Sequence, residues 1–218
     1  MKYLHNLVLY YYKGRDGSHN YMHALNVYNI AKDIAIGEKI KDKNKLLIIK
    51  CASLFHDVWD SKYIKKQTKK NKLKEELRED LKRINLNDKK IDNIYEIIDN
   101  ISYTKERNIR KNGEKLDLNK LSKLRNIVSD ADKIESLGKV GIERIIMYEK
   151  TIKKNKNVKY YIERVKALYN DRIIDIIEND YIKTKSGKDL AKDKILEMNN
   201  IIRNDKSIYE IVNKIVNE

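Results

Sequence analysis

The chain has 218 residues, enough for one substantial domain and short for two. A hydrophobic share of 41% beside 37% charged residues is that of a soluble chain with a real core. The lone Cys51 excludes an internal disulfide and fits a reducing compartment. The apolar run Leu7–Tyr12 is too short to span a bilayer. No small-residue cleavage site follows it, so the expectation is a cytoplasmic protein with no membrane partner.

A net charge of +15 invites a nucleic-acid reading, because clustered cations release counterions from a phosphate backbone. Here Lys, Ile, Asn and Tyr are abundant together and Pro is absent, a pattern that AT-rich codons produce. The lysines are also interleaved with acids and form no isolated tail. Nucleic acid is therefore a reading kept open but not favoured, while a positive field would still draw in a small polyanion such as a nucleotide.

Helical periodicity runs through the chain, and nothing alternates with period two for long enough to suggest a sheet. Ser18 is the expected N-cap of a helix over about His19–Ile36, ended at Gly37. A second helix over about Lys43–Asp57 is apolar nearly all round, which marks a central core helix. A charged amphipathic helix follows over about Lys70–Ile84, and another over Asp88–Ile101. The charge-rich stretch Thr104–Leu118, with Gly113, reads as a surface loop. Helix resumes near Asn119 and runs up to Asp130, and Gly138 and Gly141 permit a bend or a close helix contact before Ile142–Lys150. The stretch Val158–Arg203 reads as one or two long helices, with a short one at Ile208–Val216. The expectation is a single all-α domain over residues 1–218.

Four residues spread over half the chain can be read as one metal site: His23, the doublet His56-Asp57, and Asp130. Two imidazoles and two carboxylates form a mixed N/O donor set suited to Mn, Fe, Ni, Mg or Zn. Room left for water points to hydrolysis over a structural metal knot. Adjacent His56 and Asp57 sit about 100° apart around a helix, so both reach one ion most easily near a helix end. Asp132 projects about 200° away from Asp130, and reads as an outer partner or a salt-bridge residue. His19, at i, i+4 from His23, is a second ligand, a base facing the substrate, or a core histidine.

These residues resemble the HD-domain metal-dependent phosphohydrolases, whose signature is a His, a later His-Asp doublet and a distant Asp. The likeness extends to the small single-domain branch. A pattern like H-D-x-x-D-x-K-Y stands here as His56, Asp57, Asp60, Lys62 and Tyr63. Ile101-Ser102-Tyr103-Thr104-Lys105-Glu106 is similar to its I-S-Y-S-K-E motif, and Asp130–Gly141 to its D-A-D-[KR]-[IL]-E-x-[LI]-G-x-[IV]-G block. A further segment, Thr184–Ala191, is also similar, so the match covers about residues 15–200 in consistent order. The resemblance implies an HD-type helical bundle with a divalent metal, and some members look like nucleoside triphosphate pyrophosphohydrolases. One departure is Tyr103, at or next to a position where bacterial members often carry a His.

In that frame Asp57 is both ligand and catalytic group. Lys62, Lys105 and Lys133, each adjoining a motif, are the candidates for neutralising developing phosphoryl charge, and Asp60 positions a water, orients Lys62 or caps the next turn. His19, Lys62, Tyr63, Tyr103, Lys105 and Lys133 are the candidate substrate-binding residues. The expected reaction is (d)NTP plus water to (d)NMP and pyrophosphate, in a monomer or homodimer. Alternatives are an HD-type 5′-nucleotidase, another nucleotide phosphodiesterase, or a non-catalytic helical protein that binds nucleic acid. No G-x-x-x-x-G-K-[ST] loop occurs, which excludes a P-loop enzyme.

Overall fold

The computed structural model describes residues 2–154 and 156–217. Its elements in chain order are α1 Lys2–Tyr11, α2 Tyr21–Gly37, α3 Lys43–Phe55, α4 Gln67–Lys82, α5 Asp88–Ile98, α6 Tyr103–Lys111 and α7 Ser122–Glu135, then α8 Gly138–Ile152, α9 Val158–Leu168, α10 Ile174–Glu178, α11 Lys185–Arg203 and α12 Asp205–Asn217. A five-residue π-turn, Tyr169–Ile173, joins α9 to α10, and a 3₁₀ turn, Asn119–Leu121, leads into α7. Among the described residues there is no strand, and no helix is long and apolar enough to cross a membrane.

Small side chains set the centre of the bundle. Ala24, Val27, Ala31, Ile34 and Ala35 are all fully buried on one stripe of α2, and this narrow stripe lets α3 and α7 approach closely. In α3, Ile49, Cys51, Ala52 and Phe55 are buried on several sides, as its all-round apolar text requires. Ile127, Val128, Ala131 and Ile134 present the matching face of α7. The three helices α2, α3 and α7 therefore form the rigid frame from which any central site must project.

Several boundaries differ from the sequence reading. The second helix begins at Tyr21, because the Asn20 side chain accepts the backbone N–H groups of Met22 and His23. Ser18 is unavailable as the cap, since its hydroxyl is bonded to Asp16 and to His19. The stretch read as a loop after Thr104 holds α6. Its inward face is Tyr103 and Glu106, so burial there is polar and leaves no apolar stripe to detect. Helix α1 falls in a stretch for which no helix is expected from the sequence. Lys43–Phe55 stops before the His-Asp doublet, and α7 continues past Asp130 to Glu135.

The turn from α7 to α8 depends on two glycines. Gly138 holds φ at +71°, a left-handed conformation that favours glycine. A Cβ on Gly141 would overlap the backbone carbonyl of Ser136, which has no rotamer with which to yield. Gly141→Ala is therefore expected to lower stability by about 1–3 kcal/mol, as overpacking does. Chemical denaturation measures this, and an unchanged midpoint would show that the turn can give way.

Candidate metal centre

His23 lies in the first turn of α2, His56 caps the C-terminus of α3, Asp57 follows it, and Asp132 projects from α7. Their donor atoms converge. His23 Nε2 and His56 Nε2 are 3.0 Å apart, and Asp57 Oδ2 is 3.4 Å from each. Asp132 Oδ1 stands 3.6 Å from His23 Nε2 and 3.7 Å from His56 Nε2. The two histidines are nearly inaccessible, at 3% and 5% exposure.

The tautomers suit a metal. His56 Nδ1 is 2.8 Å from the Ser53 carbonyl, which can only accept, so Nδ1 carries the proton and Nε2 offers its lone pair to the centre. His23 Nδ1 faces Glu135 Oε2 at 3.2 Å, an arrangement of carboxylate, histidine and ion site that orients a ligand ring. Arg144 braces that carboxylate, donates to the Ser18 carbonyl at 2.8 Å, and reaches His23 Nε2 at 3.3 Å. Asp57 Oδ2 is buried with no hydrogen-bond partner among the described residues. A buried carboxylate oxygen without a donor is costly unless a cation completes it. His23, His56, Asp57 and Asp132 thus fit a divalent ion in donor type, orientation and unmet demand.

The electrostatics carry the same message. Burial opposes an imidazolium at His56, but Asp57 and Asp132 override it and push its pKa up to about 9. Burial works against ionised Asp57 and Asp132 too, yet the facing imidazoles hold both below the usual carboxylate range. Two carboxylates around one gap require positive charge there, supplied by a proton on His56 or by a metal ion in competition with it.

Asp130 is not part of this cluster. Its carboxylate accepts the backbone N–H groups of Lys183 at 2.9 Å and Thr184 at 2.7 Å, and the Thr184 hydroxyl at 2.7 Å. It anchors the start of α11, and burial raises its pKa against the pull of these donors. The expectation that Asp130 completes the metal site is corrected in favour of Asp132. Two residues along a helix is more than half a turn, so only one of the pair can face α2 and α3. The sequence did hold a signal: Asp132 and Glu135 are i, i+3 and share a face, which the structure directs at His23.

A cavity of about 990 Å³ opens beside the cluster, with His56, Asp57 and Asp132 in its wall. His19 lines it from the segment before α2, not from the helix face, with Nε2 2.9 Å from Lys62 Nζ. Burial and the Lys62 charge drive His19 down to about 3, so its ring is neutral near pH 7. Asp60 accepts the backbone N–H of Lys62 at 2.7 Å, which fixes the turn carrying that lysine. Tyr103 lines the cavity with its ring while its hydroxyl bonds Asp175. Lys105 lines it with Nζ on the Asp99 carbonyl and on Asn100 Oδ1. Two candidates fail. Lys133 is 1% exposed and turned to Ser129 and Glu106, behind α7. The Tyr63 hydroxyl donates to Asp16, its ring packs under Arg15, and it does not line the cavity. Arg144 and Arg172, also in the wall, carry no local sequence signal.

An HD domain profile matches residues 20–137. The fold is shared with a Lactobacillus plantarum protein at TM-score 0.70, with 18% identity over 96% of each chain. It is similar to Bacillus subtilis YpgQ, crystallised in complex with ADP, at TM-score 0.63 and 21% identity, over 93% of this chain and 90% of that one. A Bacillus thuringiensis HD-superfamily hydrolase matches at TM-score 0.59 and 18% identity, over 93% and 92%. No curated protein matches.

Asp132→Asn is expected to weaken Mn²⁺ binding by at least about tenfold, while Asp130→Asn leaves it within about twofold but lowers stability by about 1–3 kcal/mol. Calorimetric titration with Mn²⁺ beside chemical denaturation separates the two. The His56 proton supplies pH dependence. Because its folded pKa exceeds the ordinary 6.5, that proton stabilises the ion-free protein fully below about 6.5, and the contribution is lost as pH rises through about 9. A metal must displace it, so the stabilisation by Mn²⁺ grows between about pH 6 and 8.5, reaching about 2.7 kcal/mol at a hundredfold excess over Kd. Melts with EDTA and with Mn²⁺ test this; a pH-independent increment would exclude His56 as a ligand.

Proposed function

Because the chain belongs to the HD domain family, we propose that it is a metal-dependent phosphohydrolase of nucleotides, converting (d)NTP and water to (d)NMP and pyrophosphate. The observation that carries this reading is the convergence of His23, His56, Asp57 and Asp132, the last three in the wall of a cavity large enough for a nucleotide and edged with cations. YpgQ, which shares the fold, has been crystallised with ADP, and this supports a nucleotide as ligand class. The expected ion is Mn²⁺, and the protein is read as cytoplasmic and as a monomer or homodimer.

His23, His56, Asp57 and Asp132 would hold a divalent ion, which when bound would supply Lewis acidity toward a phosphate oxygen and lower the pKa of water. The rest is positioning and charge, which phosphoryl transfer chiefly requires. Lys62, beside neutral His19, offers Nζ to phosphate oxygens near the cluster. Asp60 holds the turn that aims it. Arg144, fixed by Glu135 and the Ser18 carbonyl, adds a second positive charge on the α8 side. Attack at the α-phosphorus breaks its bond to the bridging oxygen, and pyrophosphate leaves with that oxygen and its electron pair. Lys105, at the cavity edge, is a third candidate contact for this product.

The test is purified protein with Mn²⁺ and a panel of nucleoside tri- and monophosphates, resolved by phosphorus NMR, beside Asp57→Ala. Nucleoside monophosphate plus pyrophosphate is expected, reduced more than about a hundredfold in the variant. Free phosphate released from monophosphates would replace this reading with a nucleotidase. No turnover with any divalent ion would sink both and turn attention to nucleic-acid binding by the basic surface.

A further inference from the structure

The cavity has a second wall that contains none of the cluster residues. It is built from α6 and the π-turn Tyr169–Ile173. Such turns insert one residue into a helix and recur at functional sites. One extra residue rotates everything after it by about 100° around the axis, so the insertion decides which side chain of this stretch meets the cavity. In the turn itself Arg172 and Ile173 meet it, and Arg172 carries the charge.

Arg172 is held in a defined pose. Its guanidinium lies 5.0 Å from the centroid of the Tyr103 ring, stacked over it. Tyr103 is fixed by its hydroxyl bond to Asp175 and by edge contact with Tyr181, 5.1 Å away. Tyr169 ties the π-turn to α11 through Asn199 at 2.6 Å, and Ile173 is buried. Platform and arginine are thus fixed to each other. Arg172 Nε is nevertheless buried without a hydrogen-bond partner among the described residues. The neighbouring cations are already committed: Arg107 to Asp171 and Asp175, Arg164 to Glu149, Lys74 to Asp99. No hydrogen bond or ion pair among the described residues engages the Arg172 guanidinium, so the part of its fork that lines the cavity is left for an acceptor on a ligand.

The surroundings say which acceptor. Ile109, Leu168 and Ile173 flank the arginine in the wall, with the amide side chain of Asn108 near them. Apolar side chains and an aromatic platform suit a planar ring better than a hydrated phosphate, whose cations Lys62 and Arg144 stand at the cluster. A guanidinium seated over an aromatic ring carries a planar fork of N–H donors, the group that pairs bidentately with the O6/N7 edge of guanine. Building on the nucleotide reading above, we propose that Arg172 on its Tyr103 platform is the base-recognition residue of this cavity and selects a guanine base.

Trp59, the single tryptophan, lines the same cavity and reports binding without turnover. Its fluorescence is followed in titrations with guanosine, cytidine and inorganic pyrophosphate, for the full chain and for Arg172→Leu and Arg172→Lys. The expected result is guanosine bound in preference to cytidine. Its Kd should rise about ten- to a hundredfold in both variants, the worth of a bidentate arginine–guanine pair, while pyrophosphate binding changes less than about twofold. Arg172→Lys keeps charge and stem, and a melting curve establishes that it is folded. Equal binding of guanosine and cytidine by the unmodified chain would overturn the assignment. So would a loss of pyrophosphate affinity matching that of guanosine, which would make Arg172 a phosphate contact. If no nucleotide is hydrolysed, the hydrolase reading fails, yet the guanosine titration still decides the role of Arg172.

Discussion

Two imidazoles 3.0 Å apart inside a helical core, each with the Asp57 and Asp132 carboxylates 3.4–3.7 Å away, are the constraint on which the rest of the structure turns. Left to themselves, such groups would draw in water or protons and push their helices apart. They stay because α2, α3 and α7 are locked by an alanine-rich stripe against apolar faces, and each ligand sits where its helix cannot rotate. His56 is held by the Ser53 carbonyl, and His23 faces the Glu135 carboxylate. The frame is therefore preorganised for a cation, which is what a metal centre requires of its protein.

Helix α7 performs three tasks with successive side chains. Asp132 and Glu135 face the metal ligands. Asp130, on another face, gathers the first turn of α11 through Lys183 and Thr184. Arg125, Ser129 and Lys133 face α6, where Glu106 accepts from Arg125 at 2.7 Å and lies 3.5 Å from Lys133. Burial opposes the Glu106 carboxylate, but Lys133 and Arg125 outweigh it and lower its pKa, while burial and Arg125 bring Lys133 down to about 8. This buried network seats α6 and with it the Tyr103 wall of the cavity. The acids and bases of the Asp130–Glu135 block thus couple the cluster, the α11 anchor and the far wall through one rigid element.

The all-helical class, the apolar centre at α3, the break at Gly138 and the His-Asp doublet at a helix end were legible because each has a local cause: a repeat of 3.6, an all-round apolar run, a left-handed glycine, a charged pair closing a core helix. Helix α6 was hidden for an equally physical reason. Its buried face is made of Tyr103 and Glu106, and a polar face satisfied by partners from α7 shows no apolar stripe. His19 was placed on a helix face because spacing alone cannot tell that Asn20, not Ser18, closes the first turn.

By itself the sequence determined the helical bundle and its metal-binding chemistry, with two imidazoles and a carboxylate now seen together at His23, His56 and Asp57. Tertiary structure alone decided which aspartate of the Asp130–Asp132 pair joins them, since the two sit more than half a turn apart and only the packing of α7 says which face looks inward. It also decided that Lys133 lies behind α7 while Arg144 and Arg172 reach the cavity. A residue's type and spacing are local properties, whereas its neighbours across the core depend on how helices far apart in the chain are rotated and pressed together.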